Sequence, residues 1–193
     1  NGLGGADLVG PSGPGAEGMR LTLNGGLGDD TLVGSPGPDV FNGGDGADTV
    51  WMGDGDDAFT WNPGDDNDVV EGQGGFDTLT LNGANVGETI QIEALGDRVR
   101  FSRNVANVAL DLDGIERLAY RALGGADLVF VRNLEATDVS FVQVALAAAQ
   151  GGGDGQRDSV FLEGTAAADV VRVTGDAGEV TVAGLAAQVS LTE

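Results

Sequence analysis

Aspartate is the residue type whose spacing in this sequence could do chemistry. Between residues 24 and 80 it recurs at the sixth place of a nine-residue repeat, which is glycine-rich at the front and apolar at the back. Four clear copies span residues 25–60, and two weaker copies follow a two-residue insertion, Trp61-Asn62. The sixth-place aspartates are Asp30, Asp39, Asp48, Asp57, Asp68 and Asp77. A fixed period of this kind predicts an architecture of stacked repeats.

The two halves of each repeat require different backbone structures. Glycine permits φ > 0 and close backbone approach, so the first half predicts a tight turn. The last three residues, such as Thr31-Leu32-Val33, favour a short strand that is stable only when other copies stack on it. Two copies then make one coil of eighteen residues. The expected inward columns are Leu32, Val50 and Val70 on one side, and Phe41, Phe59 and Leu79 on the other.

The same stacking divides the aspartates into two columns at the turns. One column holds Asp30, Asp48 and Asp68, and the other holds Asp39, Asp57 and Asp77. Adjacent strands lie about 4.8 Å apart, so these carboxylates would be close neighbours. Like charges at that spacing repel each other, and the arrangement therefore requires a cation.

These glycine- and aspartate-rich nonapeptides resemble the RTX family of calcium-binding repeats. The resemblance implies a right-handed parallel β-roll, an all-β solenoid in which several Ca²⁺ ions lie between successive glycine-rich turns. In that family the sixth-place aspartates and the turn carbonyls hold the metal. The aspartate ligands carried over to this sequence are Asp30, Asp39, Asp48, Asp57, Asp68 and Asp77. The corresponding turn glycines are Gly25, Gly28, Gly34, Gly37, Gly43 and Gly46.

Isolated echoes of the repeat occur outside this series. Leu3–Val9 and Leu123–Val129 have the same sequence, and they place Asp7 and Asp127 where the repeats have their ligands. A third glycine-aspartate turn lies at 151–158. Such single copies are also typical of a turn with a local aspartate hydrogen bond, so both interpretations stay open here.

Composition narrows the possible functions. The chain has 31 acidic and 9 basic residues, and its net charge of −22 disfavours binding to nucleic acid or insertion into anionic membranes. Histidine and cysteine are absent, which excludes Ser-His-Asp triads, Cys-His pairs and histidine-ligated zinc. A carbohydrate-processing β-helix would need clustered acids and exposed aromatic platforms, for which Trp51, Trp61 and Tyr120 are the obvious candidates. We expect no catalytic site.

After residue 80 the glycine pattern fades, but short apolar segments continue at intervals of about ten residues. The predicted strands are Thr89–Glu93, Arg98–Ser102, Val108–Leu112, Glu116–Tyr120, Leu128–Arg132, Val139–Val144, Ser159–Leu162, Val170–Val173, Val180–Val182 and Val189–Leu191. A short helix is an alternative at Val144–Gln150, and Gly10–Gly15 is expected to be an exposed loop. We expect residues 1–193 to form one continuous solenoid, with a lead-in at 1–23, the nonapeptide roll at 24–80 and degenerate coils at 81–193.

Two functional hypotheses share this physics. The first is a calcium-binding structural module of a large secreted or cell-surface protein, such as a rod, an adhesin stalk or a fibre unit. The second is the calcium-dependent secretion or folding region of an RTX toxin, lipase or protease whose catalytic domain lies elsewhere. We expect an extracellular location and folding on calcium binding. Because neither end reads as a cap, we also expect end-to-end contact with further coils or with copies of the chain.

Overall fold

The computed structural model of the protein describes residues 2–11, 19–148, 151–176 and 178–193. Within these ranges the chain is all-β, apart from one 3₁₀ turn at Val105–Asn107. The strands are β1 Leu8–Val9, β2 Thr22–Leu27, β3 Thr31–Val33, β4 Val40–Asp45, β5 Thr49–Asp54, β6 Ala58–Trp61, β7 Val69–Gly74, β8 Thr78–Asn82, β9 Thr89–Leu95, β10 Arg98–Arg103, β11 Val108–Asp113, β12 Arg117–Leu123, β13 Leu128–Val131, β14 Phe141–Ala148, β15 Ser159–Leu162, β16 Arg172–Asp176, β17 Glu179–Ala183 and β18 Gln188–Thr192.

These strands form two sheets in which most neighbours are parallel. The first sheet has the order β1-β3-β5-β7-β11-β10-β9-β13-β15, and the second has the order β16-β17-β18-β14-β12-β8-β6-β4-β2. From β1 to β8 the chain alternates between the sheets, so each pair of repeats adds one strand to each sheet. The predicted all-β fold of stacked parallel strands is therefore confirmed for this part of the chain.

The predicted inward columns are also confirmed. Leu32 pairs with Val50 and Val50 with Val70 in the first sheet. In the second sheet Phe41 pairs with Phe59, and Phe59 with Leu79. All of these side chains are fully buried. The insertion at Trp61-Asn62 leaves this register intact, and Trp61 itself enters the core.

The later coils depart from uniform parallel stacking. Strands β9, β10 and β11 form an antiparallel meander whose last strand pairs with β7 and whose first strand pairs with β13. A two-residue turn, Gly96-Asp97, joins the first two strands, and Gly96 takes a φ of 73°. Such a turn closes an antiparallel hairpin. A second meander, β16-β17-β18, ends the other sheet.

Every strand predicted after residue 80 is present, with ends shifted by a few residues. The helical alternative at Val144–Gln150 is wrong as far as residue 148, because β14 continues to Ala148; residues 149 and 150 lie outside the described ranges. Most of the expected loop at Gly10–Gly15 also lies outside them. Val173 is 64% exposed, since β16 is an edge strand with both faces open.

Among the described residues, no helix has the length and the apolar character that crossing a membrane requires.

Candidate metal sites in the glycine-rich turns

The sixth-place aspartates lie at the junction between each turn and the strand that follows it. All six are at most 2% exposed, namely Asp30, Asp39, Asp48, Asp57, Asp68 and Asp77. Aspartate is almost never buried this completely unless its charge is paired. The two oxygens of each carboxylate differ in their hydrogen-bond partners.

One oxygen of each aspartate is bonded to the preceding coil. The backbone N–H of Asp30 donates to Asp48 Oδ1 at 2.8 Å, and that of Asp48 donates to Asp68 Oδ1 at 3.0 Å. In the second column the backbone N–H of Asp39 donates to Asp57 Oδ1 at 2.6 Å, and the backbone N–H of Asp57 donates to Asp77 Oδ1 at 2.9 Å. We call this series of bonds the carboxylate ladder. The ladder runs separately along each of the two columns that the sequence predicts.

The second oxygen has no partner in most of these residues. Six buried Oδ2 atoms make no hydrogen bond: those of Asp30, Asp48, Asp57, Asp68, Asp77 and Asp127. A buried carboxylate oxygen without a donor is costly, and the cost disappears when a cation binds it. Asp39 differs, because its Oδ2 accepts the Ser35 N–H at 2.6 Å.

In the repeats that begin with glycine, the unpaired oxygen points towards that glycine. The repeats of Asp57, Asp68 and Asp127 have Met52, Pro63 and Ala122 at this place. A Cβ added to Gly25 would collide with both Asp30 Oδ2 and the carbonyl oxygen of Gly43, which belongs to the next coil. A Cβ on Gly43 would collide with Asp48 Oδ2 in the same way. A carboxylate oxygen and a turn carbonyl oxygen therefore converge beside a glycine that leaves the space open. Oxygen atoms of these two kinds are the ligands that Ca²⁺ prefers.

Glycine has a different purpose at the second and fourth places. Gly44 and Gly46 have φ values of 100° and 133°, which side-chain-bearing residues rarely adopt. The weaker sixth copy has Gln73 at the second place, and this residue takes a φ of 71°. The turn geometry is thus kept even where the sequence departs from glycine.

Burial governs the electrostatics of the metal-free turns. It raises the pKa of Asp48 and of Asp57 to about 6, although the N–H bond to each partly offsets the effect. It raises the pKa of Asp77 to about 7 and that of Asp68 to about 8, with a smaller contribution from neighbouring carboxylates. Each shift reports that the charged form lacks a compensating positive partner.

Within the described ranges, no three or more acidic side chains converge as a ready-made metal cage. The oxygens that converge come from one carboxylate and from backbone carbonyls, so a site of this type is assembled mainly from the turns. Of the six glycines predicted for the turns, Gly28, Gly34, Gly37 and Gly46 lie between strands, whereas Gly25 and Gly43 lie in the last part of β2 and β4.

The isolated echoes join the carboxylate ladder. The Asp7 N–H donates to Asp30 Oδ1 at 2.7 Å, and Asp127 Oδ1 accepts the Glu88 N–H at 2.7 Å. Asp127 shares the unpaired, buried Oδ2 of the repeats, and burial raises its pKa to about 6. Asp7 is less buried, and its Oδ2 accepts the Leu3 N–H at 3.3 Å.

Sequence reasoning assigned no ligand role to three members of the ladder, although one of them, Asp158, lies in the third glycine-aspartate turn at 151–158. Glu88, Glu116 and Asp158 occupy the sixth place in later coils: Glu116 Oε2 accepts the Asp77 N–H at 2.6 Å, and Asp158 Oδ1 accepts the Asp127 N–H at 3.0 Å. An acidic residue directly before a strand was the available signal for these positions. It was not recognised because two of the residues are glutamates and the glycine pattern before them is incomplete. Beyond Glu116 the second column continues as Ser140 and Ala187, without a carboxylate.

Two of the three aromatic residues considered as sugar platforms are in the core. Trp61 and Tyr120 are at most 1% exposed, whereas Trp51 is 43% exposed. An array of exposed aromatic platforms with clustered acids, which a carbohydrate-processing site needs, is therefore not formed by these residues.

The family comparison agrees with the geometry of the turns. Residues 24–59 and 63–85 match the model of the RTX calcium-binding nonapeptide repeat, in four copies. No curated protein matches the sequence. Among solved structures, the extracellular lipase LipA from Serratia marcescens is similar, with a TM-score of 0.41 and 15% identity over 85% of this chain. The chain spans 37% of the length of that lipase chain.

Proposed function

We propose that this chain, whose residues 24–59 and 63–85 are RTX calcium-binding nonapeptide repeats, is a structural module that folds when it binds several Ca²⁺ ions. The observation that carries the proposal is the set of buried Oδ2 atoms without a hydrogen-bond partner beside the turn glycines. Calcium supplies two positive charges at each occupied turn and bonds to oxygens from successive coils. Its binding free energy thereby becomes folding free energy.

Different residues of each repeat orient the carboxylate, keep space open beside it and supply the carbonyl oxygen. The ladder bonds fix each aspartate so that Oδ1 faces a backbone N–H and Oδ2 stays available. Where a repeat begins with glycine, that glycine keeps the space beside Oδ2 open, and at Gly25 and Gly72 a carbonyl of the next coil completes the approach. We assign the ligand role to Asp30, Asp48, Asp57, Asp68 and Asp77 with their turn carbonyls, and a lesser role to Asp39 because Ser35 already serves its second oxygen.

We further propose that the module belongs to a secreted or cell-surface protein, as a rod, a stalk or a fibre unit. Weak extracellular calcium modules typically bind at about 10⁻⁴–10⁻³ M, so they are filled outside cells and empty at cytosolic calcium levels. In this proposal the whole described solenoid is one structural unit that contacts further coils at its ends. It carries no catalytic site of its own, in keeping with the absence of histidine and cysteine.

The test is a calcium titration of matched variants, followed by circular dichroism and calorimetry. Asp48→Asn keeps the Oδ1 acceptor but removes the charge, and Asp97→Asn makes the same change on an exposed turn. We expect the wild-type chain to be unfolded over residues 24–80 in excess chelator and folded at millimolar calcium. Asp48→Asn should raise the calcium midpoint several-fold, whereas Asp97→Asn should not. Equal midpoints for the two variants, or a fully folded roll in chelator, would contradict the proposal.

The absence of catalysis has its own test. The pure chain, with and without calcium, should not hydrolyse esters, peptides or glycans above the rate of a buffer control. A hydrolytic activity that one point substitution abolishes would show a catalytic site in these residues.

A further inference from the structure

We propose that Arg103 is a built-in cation that takes, at Glu88, the place that calcium takes in the nonapeptide turns. The inference rests on the proposed function, because it assigns a metal-free equivalent to one of its sites. Arg103 would thereby hold the coils around β9, β12 and β13 together without calcium, and these coils would give the calcium-dependent roll a preformed surface to fold against.

Glu88 occupies a sixth-place position of the same kind as the repeat aspartates. It directly precedes β9, it is 1% exposed, and its backbone N–H donates to the carboxylate of Asp127 in the next coil. A Cβ added to Gly83, five residues earlier, would collide with Glu88 Oε2, just as one on Gly43 would collide with Asp48 Oδ2. The glycine, the turn and the buried carboxylate are all retained at this site.

The partners of the second oxygen are what differ. In most of the repeats Oδ2 has no donor, whereas Glu88 Oε2 accepts the Ala84 N–H at 2.8 Å and the Tyr120 hydroxyl at 3.0 Å. Its other oxygen, Oε1, accepts a bond from Arg103 Nε, which forms a buried ion pair. Protein groups alone therefore satisfy the charge and both oxygens of this carboxylate.

Arg103 is placed for this purpose by the first meander. It is the last residue of β10 and is 4% exposed, while Arg100 on the same strand faces solvent. Its guanidinium lies 5.6 Å from the centre of the buried Trp61 ring, which gives the cation a second favourable contact. Removing one partner of a buried arginine–carboxylate pair destabilises a protein strongly, because the other charge is left buried and unpaired.

The position of the pair in the ladder explains what it could do. In the first sheet β11 pairs with β7, and this register places the apolar Leu110 after Asp68, so the column of carboxylates stops there. It resumes at Glu88, on the far side of the meander, and continues to Asp127. The Arg103–Glu88 pair thus lies across the first meander from the turn of Asp68, and it contacts the roll at 24–80 through Trp61 without needing a metal.

The experiment is hydrogen exchange, read by peptide, on the full chain in excess chelator and at millimolar calcium. In chelator we expect protection in peptides covering β9, β10, β12 and β13, and none in β2 to β6. Arg103→Gln should lower that chelator-state protection by at least roughly tenfold, because Glu88 is left charged and buried. Arg100→Gln is the matched control on the same strand and should change it little.

A double variant keeps the proposal testable if Arg103→Gln fails to fold even with calcium. Glu88→Gln combined with Arg103→Gln removes both charges, so protection in chelator should be restored in part. The proposal is overturned if the wild-type peptides around Glu88 exchange freely in chelator, if Arg103→Gln behaves like Arg100→Gln, or if the double variant is no better protected than the single one. The proposed function fails separately, when β2 to β6 are equally protected with and without calcium.

Discussion

At the residue scale, protons and calcium compete for the same buried oxygens. Burial raises the pKa of Asp48 and Asp57 to about 6, of Asp77 to about 7 and of Asp68 to about 8, from the ordinary aspartate value of 3.8. The metal-free folded turns therefore bind more protons than the unfolded chain between about pH 4 and pH 8. Their stability from this source is fully present below the unfolded pKa and is lost as the pH rises through the folded values.

The pH dependence should consequently have opposite signs with and without metal. In chelator, where the roll is expected to be unfolded near neutral pH, lowering the pH from 8 towards 5 should shift it towards the folded state, which circular dichroism would detect as a gain of β-sheet signal. At a fixed calcium concentration the same change should weaken calcium binding, since protons occupy the ligand oxygens. Denaturation and calcium titrations at several pH values would check both. A metal-free roll that becomes less stable on acidification over this range would contradict the assignment.

Gln73 offers a second test at this scale. It holds a φ of 71° at a place where three of the four clearer repeats have glycine. A left-handed backbone costs a non-glycine residue roughly 1–2 kcal/mol. Replacing that residue with glycine removes this cost, but the greater freedom of glycine in the unfolded chain cancels part of the gain. Gln73→Gly should therefore stabilise the calcium-bound chain by up to about 1 kcal/mol in urea denaturation. Gln143→Gly, in the middle of β14, is the opposing control and should destabilise it.

At the element scale, the sequence predicted strands better than their direction. The nonapeptide period fixed both the register of Leu32, Val50 and Val70 and the aspartate columns, because each repeat carries its own turn and strand. Beyond residue 80 only the spacing of apolar segments remained, and a spacing of about ten residues fits a parallel coil or an antiparallel hairpin equally well. The Gly96-Asp97 turn was the available signal for a hairpin, and it stood among many other glycines.

The same limit explains what was missed in the candidate site. Glu88 and Glu116 stand where aspartate was sought, and the meander that brings Arg103 to Glu88 cannot be read from a period. The pairing of Arg103 with Glu88 depends on the antiparallel pairing of β9 with β10, which local propensity does not determine.

The hairpin turn that creates the meander can be tested directly. Gly96 has a φ of 73° with open space around it, so a Cβ would be strained but would not clash. Gly96→Ala should destabilise the calcium-bound chain by about 1 kcal/mol. Gly153 also has open space around it but lacks the positive φ, so Gly153→Ala should be close to neutral in the same thermal or urea unfolding measurement. Equal losses for both variants would argue against a role for the turn conformation.

At the scale of the whole molecule, the two sheets end in exposed edges of matching direction. One end presents β1 and β2, and the other presents β15 and β16. Each meander contains two reversals of strand direction, so β15 runs parallel to β1 and β16 runs parallel to β2. Unpaired strand edges over an apolar core favour a further strand, while the net charge of −22 opposes side-by-side contact.

Association should therefore be linear when it occurs. We expect light scattering at millimolar calcium to show growth with protein concentration, and electron microscopy to show rods with the width of one solenoid. A proline in the terminal strand, such as Thr174→Pro in β16, should reduce the growth, because it disrupts that edge. Compact monomers at all concentrations, or amorphous aggregates, would refute end-to-end contact.

The carboxylate ladder also has a consequence for the order of events in time. The backbone N–H of Asp30 donates to the side chain of Asp48, and the backbone carbonyl of Asp30 accepts the N–H of Thr49. Both backbone groups of Asp30 therefore find their partners only in the following coil. The same holds for Asp48, which depends on Asp68 and Val69. A chain that emerges from its N-terminus therefore exposes coils that are incomplete until later residues arrive. Ordering of an emerging coil should therefore wait until the following coil has been synthesised, and deletion of a later coil should disorder the coil before it.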